Sequence, residues 1–394
     1  MDPRAASDRP AVVVVGGGIA ALELVLALHD LAPGRVRVTM IAPEPEFVLR
    51  PLDVARPFTR GHADRLDLAG FMGEHDGRFR RTAVTGVDAE RRTVRCSTGA
   101  DEPYDVLVVA VGATARPAFG HSLTFGSDLL AVGGLLADLE EGYSQSVAFV
   151  VPVGCTWTLP VYELALMTAQ DVWGMDVHDV QLHLVTPERV PLEAFGEEAG
   201  AAVAELLVAA GITLHAGVRA DVTRNNHVDL GDGRDLHVER IVALPILDGP
   251  RVAGLPSDAQ GFLPVDRFGS VVGVDGVWAA GDATTNPVKQ GGLACLQADA
   301  VATCIASHAG GHVSPMPYVP ELRGRLLTGH GDRFLRRGPG ETGRSEADDR
   351  PLWWPPSKVS GHYLSPYLEA RGLVHLPVRE DRRTAGIDVQ LRPG

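Results

Sequence analysis

Residues 12–21 read VVVVGGGIAA, and the chain continues as LELVLAL through residue 28. Four consecutive β-branched residues are typical of a strand that is buried on both faces of a sheet. The apolar run after the glycines has the composition of a helix, and Ala32-Pro33-Gly34 provides its stop signal. The stretch therefore predicts a strand, a glycine turn and a helix, and the rest of the chain is interpreted around this unit.

The turn carries the pattern G-x-G-x-x-A over residues 16–21. In this pattern Gly16 permits a tight turn, and Gly18 lets the backbone approach a pyrophosphate. The small Ala21 lets the helix pack closely on the strand, while the helix N-terminus presents N–H groups to the phosphates. A second strand is predicted at residues 35–42, which completes a βαβ unit. A purely structural turn uses the same glycines, but this context favours dinucleotide binding.

Composition limits the classes of protein to which the chain belongs. Its 394 residues are 45% apolar and carry a formal net charge of −14, as expected for a globular protein of two or three domains. The negative charge argues against nucleic-acid binding, which needs clustered Lys and Arg. No apolar run approaches the ~18 residues of a membrane-spanning helix. Residues 1–10 include acidic side chains, unlike a signal peptide, so we expect a cytoplasmic protein with at most peripheral membrane contact.

The four cysteines, Cys96, Cys155, Cys295 and Cys304, are too scattered for a disulfide scaffold. No C-x-x-C pair occurs, and the fourteen histidines are dispersed rather than spaced as zinc ligands. We therefore expect no metal site. Cys96 and Cys304 are interpreted as core residues.

Two further stretches extend the dinucleotide-binding pattern. Residues 104–113, YDVLVVAVGA, predict a buried strand that ends in a glycine turn, and residues 276–283, GVWAAGDA, predict a strand that ends in Gly-Asp. The first resembles the A-T-G-A strand of the pyridine nucleotide–disulfide oxidoreductase superfamily, with Val111 where threonine is usual. The second resembles the second FAD motif of the same superfamily, in which the aspartate, here Asp282, binds the ribityl chain. A carboxylate at the end of a strand accepts hydrogen bonds from such hydroxyls.

This resemblance implies an α/β fold of two Rossmann-like, three-layer domains, the second inserted in the first, with a small C-terminal capping region. FAD is the implied cofactor. The expected boundaries are residues 1–120 and 250–312 for the FAD-binding domain, 121–249 for the inserted NAD(P)-binding-like domain and 313–394 for the capping region. Within the first part, residues 57–80 predict loops with one short helix, and residues 80–87 and 91–97 predict a β-hairpin.

The resemblance also implies the residues that contact FAD. An acidic residue near the end of the second strand usually binds the ribose, and Glu44 is the nearest candidate, although a solvated glutamate in a proline-rich turn is nearly as good an interpretation. The helix predicted after Gln290 directs its N-terminus at the flavin, where Lys289 adds positive charge. The alternative for Lys289 is a solvated surface lysine. The expected FAD contacts are Gly16, Gly18, Ile19, Ala20, Glu44, Arg50, Val84, Ala110, Gly112, Gly281, Asp282, Lys289, Gln290 and Gly291.

The inserted domain departs from the superfamily at its phosphate-binding loop. Its first strand, residues 147–151, is expected to lead into a second G-x-G-x-x-G, but Pro152 occupies the first glycine position and Trp157 the third. Proline removes an N–H and fixes φ, and an indole fills the space that a phosphate needs. The pattern therefore argues against NAD(P)H binding in the usual mode. The rest of the domain is intact, with helices predicted at residues 159–170 and 197–210 and strands at residues 180–185 and 212–215.

In place of that loop the chain carries Cys155, just before a predicted helix. A thiol near a helix N-terminus has a lowered pKa and is more reactive, whereas a small buried hydrophobe is an equally good interpretation. Cysteine at this turn, followed by PVYELA at residues 160–165, resembles the branch of sulfide:quinone oxidoreductases and flavocytochrome c sulfide dehydrogenases, in which the corresponding cysteine is redox-active beside the flavin. The candidate catalytic residues are Cys155, Cys295 and Lys289, although Cys295, about one turn into its predicted helix, faces either the flavin or the core. We further hypothesise that Cys155 and Cys295 form a redox disulfide.

The C-terminal region has a different composition. Residues 320–337 predict two strands, and residues 338–350 predict a flexible linker. In the resembling families this region caps the flavin, carries the quinone site and touches the membrane. An aromatic cluster suits such a role, but packing of the rings onto the body or onto the partner of a homodimer is as good an interpretation. The aromatic residues are Trp353, Trp354, Tyr363 and Tyr367.

The sequence thus predicts an FAD-dependent oxidoreductase similar to sulfide:quinone oxidoreductases. Two electrons pass from sulfide or a thiol through Cys155 to FAD and on to a quinone-like acceptor. Enzymes of that branch commonly carry a further cysteine between the positions of Gly112 and Cys155, which this chain lacks, so a different donor stays open. The main alternative is an NAD(P)H-dependent quinone or ferredoxin-type reductase that uses Gly154 and Glu188. A third is an FAD-binding scaffold without turnover.

Overall fold

The computed structural model describes residues 9–58, 65–126, 129–175, 179–231, 233–340 and 342–373. Part of the segment used against a signal peptide, residues 1–8, lies outside this range. So do residues 59–64 of the predicted loop region and residues 374–394 of the predicted capping region.

The described residues form seven α-helices and twenty-three strands. The helices are α1 (Ile19–Leu31), α2 (Leu68–Glu74), α3 (Leu129–Glu140), α4 (Leu159–Gly174), α5 (Glu197–Ala209), α6 (Gly291–His308) and α7 (Leu364–Glu369). The strands are β1 (Ala11–Val15), β2 (Arg37–Ala42), β3 (Glu46–Val48), β4 (Arg65–Asp67), β5 (Arg78–Arg81), β6 (Val84–Asp88), β7 (Thr93–Cys96), β8 (Glu102–Pro103), β9 (Val106–Val109), β10 (Thr114–Arg116), β11 (Leu123–Thr124), β12 (Ser146–Val150), β13 (Gln181–Val185), β14 (Ile212–His215), β15 (Asp221–Arg224), β16 (His227–Asp229), β17 (Asp235–His237), β18 (Arg240–Ala243), β19 (Ile246–Asp248), β20 (Val277–Ala279), β21 (Leu322–Leu327), β22 (Asp332–Arg337) and β23 (Ser345–Asp348).

The first sheet is parallel and has the strand order β20-β9-β1-β2-β5. β1 lies at its centre, where Val12 pairs with Val106 on one side and with Val38 on the other. Both neighbours of β1 are strands of the same sheet and both of its faces are covered, so the run of valines is fully buried. α1 and α6 pack against each other beside this sheet. The predicted strand, glycine turn and helix are confirmed.

The second sheet is also parallel, with the order β11-β18-β12-β13-β14. All five of its strands lie in sequence between β9 and β20, which are neighbours in the first sheet. The second Rossmann-like unit is therefore inserted in the first, and the predicted fold class is confirmed. Each unit has its own hydrophobic core, with Phe149 and Tyr162 central to the second.

Two predictions for the first hundred residues needed correction. The described part of residues 57–80 contains β4 and β5 in addition to the expected short helix, α2. The predicted hairpin begins later than expected, because Arg78–Arg81 pairs in parallel with β2, and the antiparallel pairing joins Val84–Asp88 to Thr93–Cys96. Phe79 packs against the core beneath the first sheet. This contact explains why an Arg-rich stretch extends that sheet.

The C-terminal region forms a three-stranded antiparallel sheet, β21-β22-β23. The two strands expected within residues 320–337 are confirmed. The flexible linker expected over residues 338–350 is wrong in its second half, because Ser345–Asp348 pairs with β22. The Ser345 hydroxyl also accepts a hydrogen bond of 3.0 Å from the backbone N–H of Ala199 in α5. A short polar edge strand has little hydrophobic pattern, so no local pattern predicted it.

After this sheet the chain crosses back to the first Rossmann-like unit. Val359, Leu364 and Leu368 are buried in the core that α1 and α6 share. The C-terminal region therefore contacts both units. Among the described residues, no helix has the length and apolar character needed to cross a bilayer.

Candidate cofactor site and the neighbouring thiol

The glycine turn after β1 meets the turn after β9. Gly16 has φ of +116°, and a Cβ atom on it would lie 2.2 Å from the carbonyl oxygen of Ala110. No other residue fits there. At Gly18, by contrast, a Cβ would meet nothing within 4 Å. Gly18 is also the N-cap of α1, and no side chain caps this helix. The open space and the uncapped helix N-terminus form a cradle that fits the pyrophosphate of a dinucleotide.

The end of β20 supplies a carboxylate to the same region. Gly281 has φ of +78°, and its Cα packs between the side chains of Ala20 and Ala294, which brings the N-terminal ends of α1 and α6 together. Burial raises the pKa of Asp282, and the positive charge of Lys289 opposes this shift. No described residue donates a hydrogen bond to the Asp282 carboxylate. It is therefore free to accept hydrogen bonds from ribityl hydroxyls, which agrees with the predicted role.

Lys289 is not a solvated surface residue. It is only 6% exposed, its ammonium donates a hydrogen bond to the carbonyl of Thr284, and its Nζ lies 3.8 Å from the ring centroid of Phe262. Burial lowers the pKa of Lys289 to about 8, although Asp282 and Asp258 favour the charged form. A cation that is partly desolvated beside a carboxylate is typical of a functional site.

The Gln290 side chain has a different role from the expected contact with FAD. Its Oε1 accepts a hydrogen bond of 2.8 Å from the N–H of Leu293, and its Nε2 donates one of 3.1 Å to the carbonyl of Arg323. The side chain therefore caps α6 and ties it to β21. The backbone at the start of α6, rather than the Gln290 amide, is left to face a cofactor. Gly291 lies against Ile19 and Val359.

Among the remaining predicted FAD contacts, Arg50 follows β3 and Val84 begins β6, which are not strands of the first sheet. Ala110 and Gly112 follow β9, and Glu44 follows β2, both of which are strands of that sheet. Because the strands of the first sheet are parallel, the carboxyl ends of β2 and β9 lie at the same edge, where ligands of such sheets bind. Glu44 and Arg50 are exposed and have no hydrogen-bond or ion-pair partner among the described residues. The solvated-glutamate interpretation therefore stays open beside ribose binding.

The phosphate-loop position of the inserted unit carries Pro152 and Trp157 where the pattern has its first and third glycines. Pro152 and Gly154 follow β12, and Gly154 keeps the positive φ of a glycine turn, at +88°. The Trp157 ring then packs on Phe195, with 5.8 Å between the ring centroids. It lies against the core of the second unit. The indole thus occupies the packing space that a third glycine would leave open.

Glu188 is the acidic residue that follows β13, where a nucleotide ribose would be bound. Its carboxylate instead accepts four hydrogen bonds from the protein. The donors are Thr158 Oγ1 at 3.0 Å and the Glu193 N–H at 3.1 Å on one oxygen, and Tyr162 OH at 2.7 Å and Thr186 Oγ1 at 3.1 Å on the other. Both oxygens are therefore occupied, and the carboxylate is turned inward onto α4. A ribose would have to displace these donors.

The structure corrects the predicted pKa shift of Cys155. Burial, reinforced by the negative charge of Glu188, raises the pKa of this thiol to about 11. The thiol donates a hydrogen bond of 3.4 Å to the carbonyl of Trp157, and α4 begins only at Leu159 after the N-cap Thr158. The helix dipole therefore does not offset desolvation, and the resting thiol is neutral at pH 7. Cys155 is nevertheless partly exposed and so accessible to a small molecule.

Cys295 lies in a different environment. It is fully buried in the core shared by α1 and α6, whereas Cys155 packs against the core of the second unit. Burial raises the pKa of Cys295 well above its usual value, and the charges of Glu23 and Asp299 add to this shift. All four cysteines are free thiols in this structure. The hypothesised Cys155–Cys295 disulfide is therefore not present.

A buried ion pair joins α4 to the C-terminal region, and the sequence did not predict it. The Lys358 ammonium pairs with Glu163, whose side chain is fully buried. Glu163 also accepts a hydrogen bond of 2.9 Å from the N–H of Leu327, and Lys358 donates one of 3.2 Å to the carbonyl of Arg325. Lys289 and Lys358 are the only lysines in the chain; Lys289 is 6% exposed and the Lys358 side chain 7%. A glutamate inside the apolar run of α4 was the available signal, because such a residue needs a partner.

Of the four rings in the predicted aromatic cluster, three contact the rest of the protein and one is exposed. Trp353 packs edge-to-face against Phe334, with 5.2 Å between the ring centroids. The hydroxyls of Tyr363 and Tyr367 bond to carboxylates of α1 and α2, so these three rings fix the tail to the body. Trp354, by contrast, is 79% exposed. No group of three or more His, Cys, Asp or Glu side chains in the described ranges is arranged to hold a metal ion.

The comparisons with known proteins agree with this geometry. The sequence profile described as pyridine nucleotide-disulphide oxidoreductase matches residues 10–300. An NADH dehydrogenase-like protein of Mycobacterium tuberculosis is 28% identical over 302 residues, covering 69% of this chain and 72% of the relative. The ferredoxin reductase component of a chlorobenzene dioxygenase from a Cupriavidus species is 26% identical over 357 residues, with 84% and 82% covered.

Among solved structures, the sulfide:quinone oxidoreductase of Aquifex aeolicus superposes with a TM-score of 0.78 at 20% identity, covering 86% of this chain and 87% of the other. A ferredoxin reductase of Rhodopseudomonas palustris gives 0.61 at 19% identity, with 84% and 83% covered. These similarities show a shared fold.

Proposed function

Because the chain belongs to the pyridine nucleotide-disulphide oxidoreductase family, we propose that this FAD-dependent oxidoreductase takes two electrons from sulfide or a low-molecular-weight thiol. In this proposal the electrons leave to a quinone-like acceptor. Oxidoreductase activity and FAD as cofactor follow from the family. The donor and the acceptor are the proposed part.

The residues of the first unit have separable tasks toward FAD. The cradle at Gly18 and the N-terminus of α1 would bind the pyrophosphate, and Asp282 would hold the ribityl hydroxyls. Lys289 holds a proton beside Asp282 at neutral pH, so it stabilises negative charge that develops nearby. When bound, FAD supplies a two-electron acceptor.

The observation that carries the proposal is the altered nucleotide site of the inserted unit. Trp157 packs where a third glycine is needed, and the Glu188 carboxylate is saturated by protein donors. Binding of NAD(P)H in the usual way would require rupture of these hydrogen bonds, each worth about 1 kcal/mol or more. A small donor such as sulfide needs no such rearrangement.

Cys155 is the proposed point of attack. Formation of a sulfur–sulfur bond between sulfide and this thiol releases two protons and two electrons, and FAD would accept the two electrons. Because the Cys155 pKa is raised, the thiol must lose its proton during the step rather than before it. The nearby Glu188 carboxylate opposes a free thiolate, which agrees with a resting enzyme that protects the sulfur from adventitious oxidation. The fold shared with the Aquifex aeolicus enzyme supports the sulfur-based proposal.

A second candidate is an NAD(P)H-dependent reductase of a quinone or a ferredoxin. The names of the two bacterial relatives favour it, as does the preserved glycine turn at Gly154. In that case the donors around Glu188 would have to rearrange when the nucleotide binds.

Anaerobic rapid mixing of the FAD-loaded protein tests these alternatives. We expect sulfide to bleach the flavin absorbance while NADH and NADPH leave it unchanged. Cys155→Ser should abolish the sulfide reaction, and Cys304→Ser, which changes a buried cysteine of α6, should preserve it. Rapid bleaching by either nucleotide would replace the proposal with the reductase candidate. If no donor reduces the flavin, the protein is an FAD-binding scaffold.

A further inference from the structure

The segment of residues 357–365, called here the C-terminal clamp, lies over the N-terminal ends of α1 and α6. At Gly291, the start of α6, a Cβ atom would lie 3.1 Å from Val359 and 3.0 Å from Ile19 at the start of α1. At Gly361 a Cβ atom would lie 2.6 Å from a carboxylate oxygen of Glu23 and 2.9 Å from the sulfur of Cys295. The clamp therefore fits closely against both helices at the junction where the cofactor cradle is formed.

One carboxylate holds the end of the clamp. Glu23 is fully buried in α1. Its two oxygens accept hydrogen bonds from the backbone N–H groups of Tyr363 at 2.9 Å and of Leu364 at 2.6 Å. These bonds satisfy N–H groups at the start of α7, which no side chain of its own caps. The clamp is thus tied to α1 through an acidic group that the cofactor chemistry does not use.

A second carboxyl group faces Glu23 from α6. Asp299 lies one turn after Cys295, which borders Gly361 together with Glu23, and burial together with the Glu23 charge raises the pKa of Asp299 to about 8. Burial also raises the pKa of Glu23, against the effect of the clamp N–H groups and of His362. One Asp299 oxygen, Oδ1, is buried and has no partner among the described residues. Two neighbouring carboxyls in a buried site cannot both be ionised at low cost.

We propose that Glu23 and Asp299 share one proton while the clamp is docked, and that loss of this proton to solvent loosens the clamp. The shared proton lets Asp299 donate to Glu23, so that Glu23 keeps its negative charge toward the clamp N–H groups. Without the proton, two negative charges repel each other across the contact between α1 and α6. Outward movement of residues 361–364 admits water and relieves this repulsion.

The direction of the pH effect follows from linkage. In the open state both carboxyls are solvated and have ordinary pKa values near 4, whereas the docked state holds a proton up to about pH 8. The docked state therefore binds one more proton between these values. The opening equilibrium grows about tenfold per pH unit across this range and levels off above it.

The other titratable groups around Glu23 and Asp299 do not account for this pH dependence of clamp opening. Burial raises the pKa of Cys295 well above its usual value, and the pKa of Tyr363 is raised to about 12 by burial and by its hydrogen bond to Asp30. Both pKa values lie above the range from about pH 4 to about pH 8 in which clamp opening is expected to change. His362 faces Glu23 from the clamp, so the experiment includes a variant that removes its imidazole.

Hydrogen exchange on the FAD-loaded protein, measured by mass spectrometry between about pH 5.5 and pH 9, tests the proposal. The readout is the protection of the peptide that spans the clamp and α7, corrected for the intrinsic pH dependence of exchange. We expect this protection to fall with pH up to about 8 and then to level off. Asp299→Asn, which donates a hydrogen bond at every pH, should remove the dependence. His362→Gln should preserve it, as should Glu205→Gln, which changes an exposed residue of α5.

Two results would overturn the proposal. The first is a corrected protection of the clamp in the wild-type protein that is flat or rises between about pH 5.5 and pH 8. This result decides the matter even if Asp299→Asn does not fold. The second is a folded Asp299→Asn protein that retains the wild-type dependence, or a His362→Gln protein that loses it, because the titrating group would then lie elsewhere. The readout does not depend on the electron donor, so the proposed function can fail independently.

Discussion

The Tyr162 hydroxyl donates a hydrogen bond of 2.7 Å to the carboxylate of Glu188 and so connects α4 to the loop after β13. Tyr162 is fully buried, and the bond fixes the acidic side chain at the position where a second nucleotide would be recognised. Burial raises the pKa of Glu188, while the bonds from Tyr162, Thr158 and Thr186 favour its charged form. The inserted unit thus has a Rossmann-like framework in which the carboxylate after β13 stabilises the unit's own fold.

Glu188→Gln should destabilise the protein by about 1–3 kcal/mol, because an amide replaces one acceptor oxygen and leaves buried donors unmatched. Thermal unfolding of the FAD-loaded protein measures this. Glu198→Gln, at an exposed position of α5, is the matched control and should leave the melting temperature unchanged. Equal melting temperatures for the two variants would show that the four hydrogen bonds at Glu188 do not stabilise the loop.

Gly18→Val should leave the fold intact and weaken FAD binding by about 2 kcal/mol or more, which is over tenfold in affinity. The side chain has room, since nothing lies within 4 Å of its Cβ, but it fills the cradle in which the pyrophosphate would lie. Flavin content after purification and FAD titration of the apoprotein measure the loss. Gly73→Val, at an open position of α2, should bind FAD normally. Normal FAD binding by Gly18→Val would mean that the cofactor lies elsewhere.

Lys358→Met should destabilise the protein by about 3–5 kcal/mol, because it leaves Glu163 buried and without a counter-charge. Adding Glu163→Gln to this variant should restore most of the loss, since the uncompensated charge is then gone. Arg344→Met removes an exposed partner of Glu346 and should have little effect. Denaturant unfolding of the four proteins gives the comparison. A double variant as unstable as Lys358→Met would indicate lost packing rather than lost charge pairing.

Lys289→Met should change the pH dependence of stability. The Lys289 pKa is about 8 in the folded protein against an ordinary value of 10.5, so the unfolded chain binds more protons between these values. Wild-type stability should therefore rise relative to the variant by up to about 3 kcal/mol as the pH increases from about 8 to 10.5, and stay constant relative to it below about pH 8.

Melting temperatures at about pH 7 and pH 10 give the readout for Lys289. Arg267→Met removes an exposed cation that lies over Phe268 and should show no such pH-dependent difference from the wild type. If the difference in melting temperature between the wild type and Lys289→Met is the same at both pH values, Lys289 keeps its ordinary pKa in the fold.

Much of the fold was predictable because it depends on local pattern. The valine run of β1 indicates a strand that is buried on both faces, and the turns at Gly16 and Gly281 require a positive φ that favours glycine. Residues 345–348 and 78–81 were misassigned, since their polar strands are stabilised by neighbouring strands and not by their own composition. Pairing of this kind depends on residues far away in sequence.

For the site, the sequence determined which groups are present: the phosphate cradle at Gly18, the carboxylate at Asp282, the thiol at Cys155 and the absence of a second glycine loop. The tertiary structure decided their chemical state. Burial raises the pKa of Cys155, and the start of α4 does not offset this shift. Desolvation also lowers the pKa of Lys289. It makes Glu23 and Asp299 compete for one proton. Desolvation and charge contacts arise from segments hundreds of residues apart, such as Glu23 and Leu364, so no local pattern in the chain encodes them.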